Sequence, residues 1–291
     1  MASSKEMKLG RGIAAICLLM SAGLMALGAG RRFADGPAGV DSATSLAATA
    51  DDKLFAAICP VVYQLDESST HRGYHYIFYG NAFFINEEGY LITAAHVLTD
   101  FRDGGQPYLL LRWPEAPPRL VKAEVVAMDP VHDVAVLRAI PNPFTGRCQV
   151  AYLRLSADKP PLGAMVIAAA LRPSRLKDPH TFDAPQEDYS SAEVTQYTTS
   201  SLGKGQAATD LLLFSHEVIR GQSGAPVVGE NEKQVVGIVE GRWLRDSLPG
   251  PPAWAKGNPT MGAAIPIAYA IPLLQENHVS WRPSTASPKS N

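Results

Sequence analysis

A serine held between two glycines at the start of an apolar run is the feature that most constrains this chain. Residues 220–228 read Arg-Gly-Gln-Ser-Gly-Ala-Pro-Val-Val, so Ser223 lies between Gly221 and Gly224 just before a predicted strand. Glycine reaches backbone conformations closed to residues with a Cβ, which would turn the N–H of Gly221 toward the same point as the N–H of Ser223. Two such amides would stabilise the oxyanion formed when a serine hydroxyl attacks a carbonyl. The alternative interpretation is an ordinary turn, because glycine and serine both favour turns.

A base and an acid occur in two further segments. Residues 80–98 contain two apolar runs joined by Asn-Glu-Glu-Gly, which predicts a β-hairpin with His96 at the end of its second strand. Asp133 stands directly before the apolar run 134–137, where a half-buried carboxylate can accept from an imidazole N–H. Taken singly, the histidine is typical of a packed or surface residue and the aspartate of a cap or turn. Their conjunction with Ser223 predicts the base, the acid and the nucleophile of one site.

The order of these residues along the chain separates them from two other hydrolase groups. Subtilisins run Asp-His-Ser and α/β-hydrolases Ser-Asp-His, whereas this chain runs His96, Asp133, Ser223. The nucleophile turn of α/β-hydrolases also needs glycine two residues after the serine, where this chain has Ala225. On the runs Gly-Tyr-Leu-Ile-Thr-Ala-Ala-His, Asp-Pro-x-x-Asp-x-Ala-Val-Leu and Arg-Gly-x-Ser-Gly-x-Pro, the sequence from about residue 53 to 280 resembles the trypsin-like serine peptidases, and within them the Deg/HtrA-type protease domain.

That resemblance implies an all-β, chymotrypsin-like fold of two six-stranded antiparallel β-barrels with a short C-terminal helix. Residues 261–267 are similar to the last barrel strand of the family, and residues 268–277 to the helix that closes the domain. Gln222 stands where Asn or Asp is commoner, and Ala225 where a second glycine is usual, but neither departure removes a donor or a reacting group. Since about a dozen residues follow the helix, we expect no PDZ module.

The resemblance also implies roles for the site residues. Ser223 would be the nucleophile, His96 the general base and Asp133 the residue that orients the base, with the amides of Gly221 and Ser223 as the oxyanion hole. The expected activity is hydrolysis of peptide bonds in exported or misfolded proteins through an acyl-enzyme, without a cofactor. Two alternatives stay open. One is a catalytically silent binding module of the same fold, and the other is an esterase on the same scaffold.

Strand composition and turn residues predict where the barrels lie. With 291 residues, 46% hydrophobic and 19% charged, the chain has the material for one two-lobed domain, comprising lobe one at 53–140, a connector at 141–162 and lobe two at 163–280. The strands of lobe one are predicted within 54–64, the hairpin 80–98, 108–113, 120–128 and 134–140. Those of lobe two are predicted at 164–171, 192–199, 211–215, 225–228, 234–240 and 261–267.

Residues 1–32 have the pattern of an export signal or signal-anchor. Basic residues within 1–11 precede the segment 12–30, which carries no charge and would form an apolar helix. That segment is just long enough to span a bilayer, so a cleaved leader and an uncleaved membrane tether both stay open. Residues 33–52 read as a flexible linker and 281–291 as a disordered tail. We expect a protein exported to the periplasm or another extracytoplasmic space, and the sequence indicates no oligomeric state.

The cysteines, the net charge and the remaining histidines indicate which disulfides, partners and metal sites to expect. Cys59 and Cys148 lie outside the leader, and an oxidising compartment would allow a bond between them, with two buried thiols as the alternative. A net charge of −2 argues against nucleic acid as a partner, because phosphate neutralisation calls for a basic face. His71 and His75 have no third ligand nearby, so we expect no metal site.

Residues around the serine turn, residues 221–224, are the candidates for substrate binding. The strand 236–242 is expected to pair with the backbone of a protein or peptide substrate as an added β-strand. Side-chain preference is assigned to Glu217 and Arg220, just before the turn, and to Glu240 and Gly241 in that strand. Glu217 at the base of a pocket would favour a basic side chain, whereas the Deg/HtrA resemblance implies a small or medium aliphatic one.

Overall fold

Two closed barrels, each of six antiparallel strands, form the described part of the chain. The structure, a computed structural model, describes residues 50–65, 76–99, 105–113, 116–146, 149–172, 185–202, 208–230, 233–244 and 260–282. The predicted all-β class with two six-stranded barrels is therefore confirmed. The predicted N-terminal apolar helix lies outside the described residues, as do the linker up to residue 49 and the tail from residue 283.

The first barrel is built from the strands that carry the predicted base and acid. Its strands are β1 (Ile58–Gln64), β2 (Tyr76–Phe84), β3 (Tyr90–Ala94), β4 (Pro107–Trp113), β5 (Ala116–Asp129) and β6 (Val134–Ile140). They follow the order β1-β2-β3-β6-β5-β4, and β4 closes the barrel by pairing with β1. In this order β3 and β6 are neighbours, with Ala94 opposite Val134, so the residues that follow β3 lie beside those that precede β6.

The second barrel has the same arrangement and carries the serine turn. Its strands are β7 (Met165–Arg172), β8 (Gln186–Ser200), β9 (Thr209–Phe214), β10 (Pro226–Gly229), β11 (Val235–Leu244) and β12 (Thr260–Pro266). The order is β10-β11-β12-β9-β8-β7, and β7 closes the barrel against β10. The short strand β10, directly after the serine turn, is thus held between β7 and β11.

Three short helices complete the described fold. Helix α1 (Ala50–Ala56) precedes β1, α2 (His96–Thr99) follows β3, and α3 (Ala270–Glu276) follows a 3-10 turn at Ile267–Tyr269. The predicted C-terminal helix is confirmed, and it packs against β5 and β6 of the first barrel. Residues 54–56 are helical, although the apolar run from Leu54 suggested a strand. None of the helices in the described ranges has the length and apolar character needed to cross a bilayer.

Central strands are buried on both faces, which is why their sequences are continuous apolar runs rather than alternating ones. Leu91 and Ile92 of β3 and Leu137 of β6 have no exposed surface in the first barrel. Ile167 of β7 and Phe214 of β9 are equally buried in the second. Each such side chain contributes about 1.5–3 kcal/mol by leaving water, so the barrels form a rigid base for the loops at their ends.

The connector between the barrels is tied to both by backbone hydrogen bonds. The amide of Leu153 donates to the carbonyl of Phe84 in the first barrel at 2.9 Å. Val235 of the second barrel donates to the Arg154 carbonyl at 2.9 Å, and its own carbonyl accepts from Ser156 at 2.9 Å. Cys59 is buried with Sγ 3.6 Å from the Ala82 carbonyl oxygen, while Cys148 lies outside the described residues, so their pairing stays a prediction.

Candidate active site

The serine lies in two consecutive tight turns. The Gln222 amide donates to the Ile219 carbonyl at 3.2 Å, and the Ala225 amide donates to the Gln222 carbonyl at 3.0 Å. The third residue of each turn is a glycine in the left-handed region, with φ of 97° at Gly221 and 78° at Gly224. Such turns need a positive φ at that position, which explains both glycines around the serine.

Space as well as conformation requires these glycines. A Cβ on Gly221 would lie 2.7 Å from the Phe78 ring. A Cβ on Gly224 would overlap the Asn81 carbonyl oxygen and the Thr93 hydroxyl. The serine turn therefore packs directly on β2 and β3 of the first barrel: a side chain at Gly224 would overlap their backbone, and one at Gly221 would displace the Phe78 ring.

Gln222 closes the first turn from inside. It is 1% exposed, and its Oε1 accepts the Ile219 amide at 2.8 Å. Together with the backbone bond from Gln222 to Ile219, this gives a reciprocal link across the turn. Gln222, which departs from the family pattern, thus supplies the hydrogen-bond acceptor for the Ile219 amide.

Asn81 joins the serine turn to the first barrel. It is completely buried in β2, and its Nδ2 donates to the Gly221 carbonyl at 2.8 Å. Its Oδ1 accepts the Leu171 amide of β7 at 2.9 Å, and its own amide donates to the Ser223 carbonyl at 2.8 Å. Its carbonyl accepts from the Thr93 hydroxyl at 2.6 Å. One buried side chain therefore holds the turn, β7 and β2 in fixed positions.

His96 and Asp133 meet across the neighbouring ends of β3 and β6. The imidazole Nδ1 lies 2.7 Å from Asp133 Oδ2, and the His96 amide donates to Oδ1 at 2.7 Å. Because a carboxylate only accepts, Nδ1 carries the hydrogen and Nε2 is left with its lone pair. Asp133 is buried while the imidazole is 40% exposed, so the pair has one anchored member and one that faces the cleft.

The backbone at Asp133 is set for this contact. Its φ is 57°, in the left-handed region that aspartate tolerates better than most residues with a side chain. Its carbonyl accepts the Ala95 amide at 3.0 Å, next to the bond from its carboxylate to the His96 amide. Three hydrogen bonds thus hold residues 95–96 against Asp133, and they compensate the unfavourable dihedral.

Ser223 is linked to the region of His96 and Asp133 through Glu240. The Ser223 hydroxyl donates to the Glu240 carbonyl at 3.3 Å. Glu240 also lines a cavity of about 260 Å³ whose other lining residues include His96 and Asp133. The candidate base and acid are therefore in direct contact, and the candidate nucleophile is anchored to a residue that lines their cavity.

Glu240 combines burial with two charged neighbours. Burial raises the pKa of its carboxyl above the ordinary value, the interaction with His96 opposes the rise, and the negative charge of Asp133 adds to it. Its proximity to His96 and Asp133 was not foreseen from the sequence.

The two candidate oxyanion donors are the amide of Gly221, in the first tight turn, and the amide of Ser223, in the second. Within the described part of the chain, the amides of Gly221 and Ser223 donate to no other protein group. Both residues are partly exposed, so these N–H groups are accessible to a ligand that enters the cleft. Two amides without a protein acceptor, one on the serine and one two residues before it, are what an oxyanion hole requires.

Other expected specificity residues lie farther out. Glu217 is partly exposed and accepts from Arg242 at 3.4 Å, and neither residue lines the cavity beside His96. Arg220 is exposed, and Gly241 lies in β11 directly after Glu240. The structure thus pairs Glu217 with a cation of its own chain, and of the four expected residues it places Glu240 at the cavity.

His132, the residue before Asp133, has a structural partner on each side. Its Nδ1 lies 2.6 Å from Asp129 Oδ2, and its ring stacks on Tyr269 at 4.2 Å between centroids. Burial opposes ionisation of Asp129, but hydrogen bonds from the His132 side chain and backbone amides lower the pKa of its carboxyl. His71 and His75 lie outside the described residues.

Asn81 and the cavity residue Leu202 are the parts of this region that sequence reasoning missed. A signal existed for Asn81, since an amide inside the apolar run from Gly80 to Phe84 needs a buried hydrogen-bond partner. Leu202 carried no comparable signal, because a leucine after a strand is ordinary.

Comparison with known proteins agrees with this geometry. A family model described as the trypsin-like peptidase domain matches residues 80–238, a segment that contains His96, Asp133 and Ser223. No curated protein matches the chain by sequence.

Solved structures with the same fold include three proteases. The active form of the Rv3671c protease from M. tuberculosis is 18% identical with a TM-score of 0.54, over 81% of this chain and 87% of that chain. The HtrA-type protease AlgW with a decapeptide is 18% identical with a TM-score of 0.53, over 78% of this chain and 65% of that chain. The MamO protease domain from Magnetospirillum magneticum, in its apo form, is 18% identical with a TM-score of 0.53, over 77% of this chain and 98% of that chain.

At these identities the solved structures establish a shared fold, and they include an HtrA-type protease as the sequence motifs suggested. The family model adds sequence similarity over the segment that supplies both barrels with their site residues. Because that model covers more than half of the sequence, the chain belongs to the trypsin-like peptidase family.

Proposed function

We propose that the protein is a serine endopeptidase that uses His96, Asp133 and Ser223. The observation that carries this proposal is the pair of hydrogen bonds that joins His96 to the buried Asp133. Ser223 is anchored beside their cleft by the hydrogen bond from its hydroxyl to the Glu240 carbonyl. A carboxylate that holds Nδ1–H leaves Nε2 as the base, and a base of this kind is useful only beside a group that loses a proton. Membership of the trypsin-like peptidase family supports the same chemistry.

The acylation half of the reaction follows from these positions. In this structure the Ser223 hydroxyl donates to the Glu240 carbonyl, and the reaction requires it to turn from that carbonyl to Nε2 of His96. Oγ then bonds to the carbonyl carbon of the peptide as Nε2 takes the proton. The carbonyl oxygen becomes an anion that the Gly221 and Ser223 amides receive. The C–N bond breaks as His96 returns the proton to the leaving amine.

Deacylation repeats these steps with water. His96 removes a proton from water, whose oxygen attacks the acyl carbon bound to Ser223. The same two amides receive the second oxyanion. Proton return to Oγ releases the carboxylic acid product and restores the serine.

The substrate is a protein or peptide held along β11. Beyond Val239, the strand keeps β12 on one side, while its pairing with β10 ends at Ile238. The residues after the bulge therefore offer an edge to which an extended peptide can add as a further strand. Glu217, Arg220, Glu240 and Gly241 flank this edge and the serine turn, and we assign side-chain preference to them. Export through residues 1–32 and action on exported or misfolded proteins complete the proposal.

Active-site labelling and cleavage test the proposal together. A fluorophosphonate probe should label the folded protein at Ser223, and a peptide library or casein should be cleaved. Ser223→Ala should abolish both, whereas Ser191→Ala, which removes an exposed hydroxyl on β8, should leave them unchanged. Labelling absent from well-folded protein would indicate a silent binding module. Turnover of esters with no peptide cleavage would indicate an esterase.

A further inference from the structure

A β-bulge places Glu240 at the centre of the site. In the pairing of β11 with β12, Val239 lies opposite Ala264 and Gly241 lies opposite Ala263, so Glu240 is the extra residue. A bulge bends the strand and redirects the side chain of the extra residue. Without the bulge, the register along β11 would continue and the residue after the buried Val239 would follow the ordinary alternation of the barrel wall.

The redirected residue faces two parts of the site at once. Its main-chain carbonyl accepts from the Ser223 hydroxyl at 3.3 Å. Glu240 lines the cavity that His96 and Asp133 also line, with a volume of about 260 Å³, and its carboxyl group interacts with the charges of both residues. One residue is thus bonded to the candidate nucleophile through its backbone and faces the base and its acid through its carboxyl group.

The charges around this carboxyl are few. Besides His96, Asp133 and Glu240, the cavity is lined only by residues without charge, namely Ala95, Thr99, Pro130 and Leu202 among the residues that the structure describes. Arg242, two residues along β11, pairs with Glu217, and His132 in the neighbouring turn pairs with Asp129. The charged groups that interact with Glu240 are therefore the two residues of the candidate base–acid pair.

We propose that Glu240 is a positioning residue whose carboxylate stabilises the protonated form of His96. This role rests on the proposed function, because His96 becomes an imidazolium only while it holds the proton taken from Ser223 or water. Asp133 compensates that charge at 2.7 Å on the Nδ1 side. Glu240 adds a second negative charge in a partly enclosed cavity, where charges interact more strongly than in water.

The pH range in which Glu240 stabilises the protonated His96 follows from the same contacts. Burial and the negative charge of Asp133 both raise the pKa of the Glu240 carboxyl, so ionisation is delayed to a higher pH than for an exposed glutamate. Above that pH the carboxylate is present and stabilises the imidazolium. Below it the carboxyl is neutral and the stabilisation is lost, so the acid limb of the rate profile reports a coupled titration of Glu240 and His96.

Glu240→Gln keeps the shape of the side chain and removes its charge. We expect the acid limb of kcat/KM to move about 0.5–1 pH unit lower, because His96 then loses its proton more easily. At the plateau kcat/KM should fall about 3- to 10-fold, since one unit of pKa corresponds to a tenfold change in the equilibrium. Glu240→Asp should keep the wild-type limb. A structural role alone would lower the rate without moving the limb. Glu124→Gln, on the exposed face of β5, is the matched control and should change neither quantity.

A titration by NMR separates this proposal from the proposed function. In Ser223→Ala protein, the His96 imidazole signal should titrate about 0.5–1 pH unit lower when Glu240→Gln is added, whether or not the wild type cleaves peptides. A His96 titration and an acid limb that both stay within about 0.2 unit would overturn the role of Glu240. Absence of wild-type cleavage with the NMR shift present would overturn the proposed function alone. Glu240→Ser serves if the glutamine variant does not fold.

Discussion

Removing the Asn81 side chain should destabilise the protein and disable the serine turn together. In Asn81→Ala, the Gly221 carbonyl loses its donor at 2.8 Å and the Leu171 amide loses its acceptor at 2.9 Å. An unsatisfied buried polar group costs about 1–3 kcal/mol, so losing both bonds should lower the free energy of unfolding by about 2–6 kcal/mol. Urea denaturation followed by tryptophan fluorescence measures this change.

The same variant should also lose reactivity, because the Gly221 carbonyl belongs to the turn that carries the candidate oxyanion donors. We expect fluorophosphonate labelling of Ser223 to slow at least tenfold at a temperature where the variant is folded. Asn81→Asp preserves the shape and the acceptor for Leu171, but sets an oxygen against the Gly221 carbonyl. Its defect should lessen as pH falls, since a protonated carboxyl can donate to that carbonyl.

Asn86→Ala is the matched control for this effect. Asn86 is also a buried asparagine, and it donates to the Ser280 carbonyl at 2.7 Å and accepts the Tyr90 amide at 3.1 Å. It lies in the β2–β3 hairpin turn, so its loss should lower stability without slowing the labelling of folded protein. If Asn81→Ala kept wild-type stability within about 1 kcal/mol, or lost stability while labelling at the wild-type rate, the clamp on the serine turn would be refuted.

Three further predictions test other parts of the site. Gly221→Ala should reduce kcat/KM more than a hundredfold, because the added Cβ would meet the Phe78 ring 2.7 Å away and a φ of 97° disfavours alanine. Peptide cleavage by the folded variant measures this loss, and a near-normal rate would contradict the turn geometry. Activity should rise as pH increases through about 6–7, as a neutral His96 becomes available, and a flat profile from pH 5 to 8 would exclude it as the base. Because the pKa of the Asp129 carboxyl is lowered in the folded state, its ionised form stabilises the fold above about pH 4, and this contribution is lost as pH falls below 3.8. The free energies of unfolding of wild type and Asp129→Asn, measured by denaturation, should therefore differ less at pH 3 than at pH 7.

Strand positions were largely predictable because the barrel strands are short segments with buried side chains, and such segments are apolar runs in the sequence. The runs around Ile92, Val136 and Ile238 are apolar enough to indicate strands, and each lies in one. The helix at residues 50–56 was missed, since a short apolar run followed by another does not show where a helix ends and a strand begins. The early start of β8 at Gln186 was missed because its first residues are polar and partly exposed.

The candidate site was predictable to different degrees. His96, Asp133 and Ser223 each follow or precede an apolar run, so local pattern located them as candidates, and the special backbone conformation of Gly221 followed from its position two residues before the serine. The position of Glu240 beside His96 was not predictable, because it depends on a one-residue bulge that sequence periodicity does not reveal. The pairing of Glu217 with Arg242 depends likewise on loops that the second barrel brings together.

By itself, the sequence of this protein determined the fold class, the strand order along the chain and the residues with the chemistry to act as base, acid and nucleophile, because these follow from local apolar runs and short motifs. Only the tertiary structure decided which of those residues share a cleft and what else stands there. His96 and Asp133 are far apart in the chain yet 2.7 Å apart in space, and Asn81 bonds to Gly221 across the barrels. Such contacts are set by how β3 pairs with β6 and how one barrel packs on the other, and neither is encoded in any single segment.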